Sequence, residues 1–161
     1  MNGENSSSAQ SIYNTICEMF DEKRFKYTRH DEDLVVSCTV SGEDIPMEML
    51  FFVRAEQQVV QLISPMPFRI PDDKLSGAAL AVCAVNDILI DGSFDLDLSN
   101  GRISFRMTQS FAASHLSKEL FDYMLVSSAK IIDDYNDKFL MLGKGVFTYE
   151  DFMDSDDVED I

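Results

Sequence analysis

Two histidines, His30 and His115, are the imidazole side chains that could act as acid–base groups. His30 begins an acidic stretch that is typical of a turn, and His115 directly precedes a helical pattern. Neither belongs to a nucleophile motif, and residues 143–145 lack the spacing and the following Ser or Thr of a phosphate-binding loop. The sequence therefore predicts no catalytic residues and no enzymatic activity.

Side chains that could bind metals are present but unsuitably spaced. Acids cluster at residues 133–137 and 150–160, yet neither cluster has the regular acid positions and the glycine of a calcium loop. The cysteines Cys17, Cys38 and Cys83 are far apart, with no C-x-x-C spacing. We therefore predict no zinc site, no disulfide framework and no cofactor.

The chain is strongly acidic. Its 161 residues include 13 Lys and Arg against 29 Asp and Glu, a formal net charge of −16. This charge argues against nucleic acid as a partner, because affinity for phosphates comes mostly from cationic side chains. It also argues against docking on an anionic membrane. The first residues do not resemble a signal peptide, and the apolar run at 75–85 is shorter than the roughly 20 residues of a membrane span, so we predict a cytoplasmic protein.

The first half of the chain predicts a helix followed by four strands. Apolar residues at helical spacing indicate a helix over 8–23, after a flexible segment over 1–7. Period-two alternation then predicts strands near 25–28, 34–40, 45–53 and 59–64, joined by short turns. Residues 65–71 contain three of the prolines and are expected to be extended. A second helix is predicted over 73–87, with Asp72 as its N-cap.

The second half predicts a hairpin and a long helix. Strands over 93–99 and 102–108 flank Asn100-Gly101, a pair that favours a two-residue turn and would place Ser99 opposite Arg102. Ser117 is the expected N-cap of a helix that ends near Gly143. Residues 146–161 are rich in acids and are predicted to be disordered. The order α-β-β-β-β-α-β-β-α indicates a single α+β domain over 8–145, with three helices on one face of an antiparallel sheet.

The opposite face of this sheet carries the candidate partner-binding residues. If Val40 pairs with Ile45 and Arg54 with Val59, then an apolar row crosses three strands where polar residues are expected. The row could bind a protein partner or form a homodimer, or the long helix or the 65–71 segment could cover it. The residues concerned are Val35, Leu50 and Ile63, with Phe52 and Val59 beside them.

Several short stretches, together with the order of the elements, form a pattern that spans roughly residues 8–142. They are the acidic turn before Leu34, Ile63-Ser64-Pro65-Met66-Pro67 leading to Ile70-Pro71-Asp72-Asp73, Asn86, Asp91-Gly92-Ser93-Phe94-Asp95-Leu96, and Asn100-Gly101-Arg102-Ile103-Ser104-Phe105-Arg106.

This pattern resembles the YbjN family of small bacterial proteins. The resemblance implies a fold like that of type III secretion chaperones, often dimeric, and a loose association with regulation. It implies no secretion system, and it does not extend to the acidic tail.

Together these observations predict a non-enzymatic protein-binding module, chaperone-like or regulatory. The alternative is a small-ligand-binding protein or an enzyme with a pocket between helices and sheet. A third interpretation is a homodimer built on the alanine-rich second helix. The acidic tail could capture a basic protein, mimic nucleic acid or simply maintain solubility.

Overall fold

A computed structural model describes the backbone of residues 2–155 and the side chains from residue 6 onward. Within residues 2–155, ten helices and strands follow one another, with a 3-10 turn at Asp72–Lys74 before the second helix. They are α1 (Asn2–Lys23), β1 (Thr28–His30), β2 (Val35–Val40), β3 (Met47–Arg54), β4 (Val59–Arg69), α2 (Leu75–Ile88), β5 (Ser93–Asp97), β6 (Arg102–Ser110), α3 (Lys118–Gly143) and α4 (Tyr149–Asp154).

The six strands form one antiparallel sheet in the order β1-β2-β3-β4-β6-β5. The α+β class and the antiparallel sheet are confirmed. The described part of the chain has four α-helices where three were predicted.

The core lies between the helices and one face of the sheet. Along β3 the burial alternates strictly, because successive side chains point to opposite faces. Phe51 is fully buried, and its ring lies 6.1 Å from that of Phe20 on α1 and 6.2 Å from that of Phe121 on α3. On β5, Phe94 lies 5.1 Å from Phe139 of α3, between ring centroids. Helices α1 and α3 therefore cover the same face of the sheet.

The first helix is longer than predicted. It begins at Asn2 rather than at about residue 8, so residues 2–7 of the segment predicted to be flexible are helical. Ser6 and Ser7 are exposed. Exposed polar residues such as these contribute no apolar stripe, so the apolar pattern starts later than the helix.

The hairpin of β5 and β6 has a different turn from the predicted one. Asp97 pairs with Arg102, which leaves a four-residue loop instead of the two-residue turn. The Asp97 carboxylate accepts hydrogen bonds from the Ser99 backbone N–H, at 2.9 Å, and from the Asn100 side chain, at 2.7 Å. Gly101 alone of the loop takes a positive φ, of 70°, and its N–H donates to the Asp97 carbonyl at 2.8 Å. The aspartate thus fixes a longer loop that the Asn-Gly pair did not predict.

The register between β2 and β3 also differs from the predicted one. Val40 pairs with Met47 rather than with Ile45, whereas the predicted pairing of Arg54 with Val59 is confirmed. Asp133 of α3 accepts the backbone N–H of Glu43 at 3.0 Å, which holds the β2–β3 loop open against the helix. The register moves by two residues, so every side chain stays on its predicted face.

The predicted start of the second helix is wrong, whereas that of the third is confirmed. The 3-10 turn and α2 have Pro71 and Lys74 as N-caps, and neither has a side-chain cap, so Asp72 is not an N-cap. Ser117 caps α3, and its side chain accepts from the Leu120 N–H. At the C-terminal end of α3, Gly145 adopts a φ of +72°.

Part of the segment predicted to be disordered is a folded helix. Thr148 and Asp151 form a capping box at the start of α4. Phe152 is fully buried, and its ring lies 5.0 Å from Phe139 and 6.5 Å from Tyr135, between centroids. The stabilisation from burying this aromatic ring exceeds the repulsion among the surrounding acidic residues. Residues 156–161 of the predicted tail lie outside the described part of the chain.

Candidate protein-binding face

The sheet face that points away from α1 and α3 is called the outer face here. Its apolar centre is formed by residues of three neighbouring strands that alternate with the buried residues of the core face. All five residues predicted for partner binding lie on it, namely Val35, Leu50, Phe52, Val59 and Ile63.

The register brings these residues together in a different arrangement from the predicted row. Leu50 lies directly opposite Ile63, as expected. Val35 lies opposite Phe52 rather than Leu50, because of the two-residue shift between β2 and β3. Val59 lies opposite Arg54 at the far end of β3. The apolar residues therefore form a compact cluster instead of a straight row.

These side chains are only partly exposed to solvent. Val35 is buried, with 9% of its surface exposed, and the other four have intermediate exposure. Among the described residues, the ring contacts between helices and sheet all involve core-face side chains. Residues 65–69 continue β4 within the sheet, and α3 packs on the core face through Phe51 and Phe94, so neither element is placed over the cluster.

Polar and charged side chains border the apolar cluster. The Arg54 guanidinium lies 5.2 Å from the centre of the Phe52 ring, and its Nε donates to Gln61 Oε1 at 2.6 Å. Arg106 lies opposite Ile63 and forms a two-bond ion pair with Asp95, at 2.8 and 3.1 Å. The Asp95 carboxylate raises the pKa of Arg106, which stays charged. An apolar centre within a polar border is the usual composition of a protein–protein interface.

One histidine lies near a hydroxyl on this face. The His30 ring nitrogen Nε2 is 3.2 Å from Ser37 Oγ, and the imidazole is exposed. Activation of a serine needs a base that is oriented by a third group, as well as an oxyanion site. No hydrogen bond in the described part of the chain links His30 to a carboxylate.

A polar cluster fixes β1 to α1. The Tyr13 hydroxyl donates to Asp31 Oδ1 at 2.8 Å, and Arg29 bonds to the same carboxylate at 3.0 Å. Burial and the bond to Asp31 raise the pKa of Tyr13 to about 12. The bonds from Tyr13 and Arg29 lower the pKa of Asp31. The cluster holds the β1–β2 turn in place beside the outer face.

A groove does lie between the helices and the sheet, as the alternative interpretation requires. It has a volume of about 440 Å³ between α1, α3 and the end of β2. Its lining is mostly apolar, with Lys26, Thr39 and Ser41 as polar members, and it contains neither His30 nor His115. In the part of the chain that the structure describes, no group of three or more His, Cys, Asp or Glu could hold a metal ion. None of the described helices is both long and apolar enough to cross a bilayer.

A family model matches residues 13–141 and is described as "Putative bacterial sensory transduction regulator". The chain belongs to the YbjN family. No curated protein sequence matches this YbjN protein.

Two of the solved structures that match this YbjN protein show its fold. The structure of YbjN from E. coli, "a putative transcription regulator", has a TM-score of 0.56 and 11% identity, over 75% of this chain and 85% of its own. The ExsC–ExsE complex gives a TM-score of 0.55 and 15% identity, over 78% of this chain and 92% of the other. The predicted likeness to type III secretion chaperones, of which ExsC is one, is confirmed for the fold.

The sequence interpretation did not give two details of the YbjN chain. One is the position and lining of the groove, which is built from elements far apart in sequence and has no local signal. The other is the role of Asn86, which the resemblance named only as a matching residue. Its amide Nδ2 donates to the Phe94 carbonyl at 2.9 Å, and its Oδ1 accepts the Phe94 N–H at 2.8 Å.

Proposed function

We propose that this protein is a non-enzymatic binding module, chaperone-like or regulatory, that docks a protein partner on its outer face. The observation that carries the proposal is the pairing of Leu50 with Ile63 at the centre of a face on which no described helix packs. A sheet with one covered face normally presents polar residues on the other. A contiguous apolar patch there is a common mark of an interaction site.

Two further observations support a polypeptide partner. The polar border formed by Arg54, Arg106 and Asp95 would give such a partner hydrogen bonds around an apolar centre. The fold neighbour ExsC was solved in a complex with ExsE, so this fold is compatible with a bound protein.

The net charge and the thiols suggest the kind of partner and the compartment. A net charge of −16 creates a field that favours basic proteins and speeds their association at low salt. Cys17, Cys38 and Cys83 are all free, which fits the reducing cytoplasm. A homodimer is a second candidate, because α2 exposes Leu80 at 56% and Ile88 at 50%.

The proposal is tested by capture of partners from native lysate with tagged wild-type protein and two variants. Leu50→Asp and Ile63→Asp should each lose the same captured proteins by about tenfold or more, because a buried, unpaired charge is costly at the centre of an interface. Ile90→Asp is the matched control, since Ile90 is 93% exposed away from the face. Quantitative mass spectrometry measures the recovery of each protein.

Folding of each variant is checked by circular dichroism and urea unfolding. Recovery of the same proteins at the same level by all variants would contradict the proposal. Unfolding of both Leu50→Asp and Ile63→Asp would also contradict it, because the cluster would then be internal to the subunit. The milder Ile63→Thr should stay folded and bind with intermediate strength.

A further inference from the structure

The two edges of the sheet differ in whether their outward backbone groups have hydrogen-bond partners. At the β5 edge, the Asn86 side chain bonds to both backbone groups of Phe94, as a neighbouring strand would. Exposed strand edges invite pairing with another chain, and a side chain that fills these positions prevents it. The β5 edge is therefore closed at its centre by the protein itself.

The opposite edge is open over the second half of β2. Strand β1 pairs only with residues Val35 to Ser37, and no described strand continues beside Cys38, Thr39 and Val40. The chain between Lys23 and Thr28 leaves the sheet toward α1 instead of extending β1.

The hydrogen-bonding pattern shows which backbone groups this open edge presents. The Leu34 carbonyl accepts from the Val53 N–H at 3.1 Å, so residues 34, 36, 38 and 40 are the ones that bond to β3. In an antiparallel ladder the alternate residues point the other way. The N–H and C=O of Thr39 therefore point to the open edge, where the described part of β1 does not reach.

The apolar groove lies directly beside this edge. Residues of α1, β2 and α3, and of the chain that follows α1, line the groove. Two of these residues are unusually exposed for apolar side chains, Phe25 at 47% and Val126 at 55%. Its apolar lining consists of Phe20, Phe25, Cys38, Val40, Leu125, Val126 and Ala129. Side chains of a strand added next to β2 would alternate between this groove and the outer face.

Charged side chains lie along the open edge. Lys26 precedes β1 and lines the groove together with Cys38 and Thr39. Glu43 and Asp44 follow Ser41 in the β2–β3 loop, and Glu48 pairs with Thr39; all three carboxylates are exposed. An occupant with basic residues at the loop end would match this distribution. The acidic residues 156–161 of this chain, or a second copy with its charge of −16, would be repelled.

We propose that the open edge of β2 binds an extended segment of another protein as an added strand. The segment carries apolar side chains at alternate positions, which enter the groove, and basic residues at the end near Glu43 and Asp44. Main-chain bonds to Thr39 supply the pairing and the groove supplies selectivity, as in other cases of strand addition. This second surface is independent of the outer-face proposal, since it requires neither Leu50 nor Ile63.

The test is the selection of binders from a display library of random peptides on immobilised wild-type protein. Counter-selection uses Val126→Asp, which places a charge at an exposed position of the groove and should leave the fold intact. The expected result is enrichment of peptides with apolar residues at period two and Lys or Arg toward one end. The best peptide is then synthesised, and its affinity is measured by fluorescence anisotropy.

Backbone pairing is tested on that same peptide. N-methylation of the amides that face β2 should weaken binding by about tenfold or more, whereas methylation of the alternate amides should change it little. Thr39→Pro, which removes the outward N–H, should also weaken binding. Ile90→Asp, at a position that is 93% exposed, should bind the peptide like the wild type. None of these measurements uses a substitution on the outer face, so failure of the outer-face proposal would not affect this one.

Four results would overturn the inference. The first is a lack of peptides that distinguish wild type from Val126→Asp. The second is enrichment of peptides with apolar residues at helical spacing, which would assign the groove to a helix. The third is equal binding of all methylated peptides, which would assign binding to side chains alone. The fourth is concentration-dependent dimerisation that Val126→Asp abolishes, because the occupant would then be a second copy.

Discussion

Replacement of Phe152 by alanine should lower the free energy of unfolding by about 3–5 kcal/mol, the usual cost of removing a fully buried phenylalanine ring. The ring is 0% exposed and lies against Phe139 and Tyr135, so its loss leaves a cavity between α3 and α4. Urea unfolding followed by circular dichroism measures the change. The experiment separates two interpretations, because composition alone assigns Phe152 to a disordered tail, where its loss would not change the stability.

Met153→Ala is the matched control for this experiment. Met153 is the next residue along the same helix but is 37% exposed, and its truncation should change the stability by only about 0.5 kcal/mol. Equal effects of the two substitutions would contradict the packing of α4 against α3.

Asn86→Ala should both destabilise the protein and promote its self-association. The substitution leaves the N–H and C=O of Phe94 without their partners, and such losses cost about 1–3 kcal/mol for a buried group. It also opens the β5 edge to pairing with another copy. Urea unfolding measures the first effect, and sedimentation velocity over a range of protein concentrations measures the second.

Two comparisons isolate the role of the Asn86 amide. Asn86→Asp keeps an acceptor for the Phe94 N–H but loses the donor to its carbonyl, so its stability should lie between wild type and Asn86→Ala. Asp87→Ala changes an exposed neighbour on α2 and should have little effect. If Asn86→Ala is as stable and as monomeric as wild type, the amide does not protect this edge.

Periodicity was enough to predict the order of the elements from α1 to α3 and the faces of the sheet, but not α4. Side chains in strands alternate with a period of two, and both register errors were shifts of two residues, so no residue changed face. The shifts themselves could not be predicted from local turns. In the β5–β6 loop, the Asp97 carboxylate accepts hydrogen bonds from residues of the turn. In the β2–β3 loop, the Glu43 N–H donates to Asp133, which lies 90 residues away on α3.

The α4 helix, by contrast, carries a local signal that acidity concealed. Thr148 and Asp151 have the spacing of a capping box, and Phe147 and Phe152 stand at the positions of a hydrophobic staple. A count of charges over residues 146–161 does not detect such residue pairs. The groove beside β2 carries no comparable signal, because Phe25 and Val126 meet only after α1, β2 and α3 have packed.

The exposure of the outer face in the intact chain is the claim on which the proposed function depends most. Methyl NMR of the full 161-residue protein with a soluble gadolinium chelate measures it without any substitution. The methyl signals of Leu50 and Ile63 should broaden clearly more than those of Leu62, which is fully buried, and less than those of Leu80, which is 56% exposed. If the Leu50 and Ile63 methyls are as protected as those of Leu62, some part of the chain covers the outer face, and the proposed docking surface is contradicted.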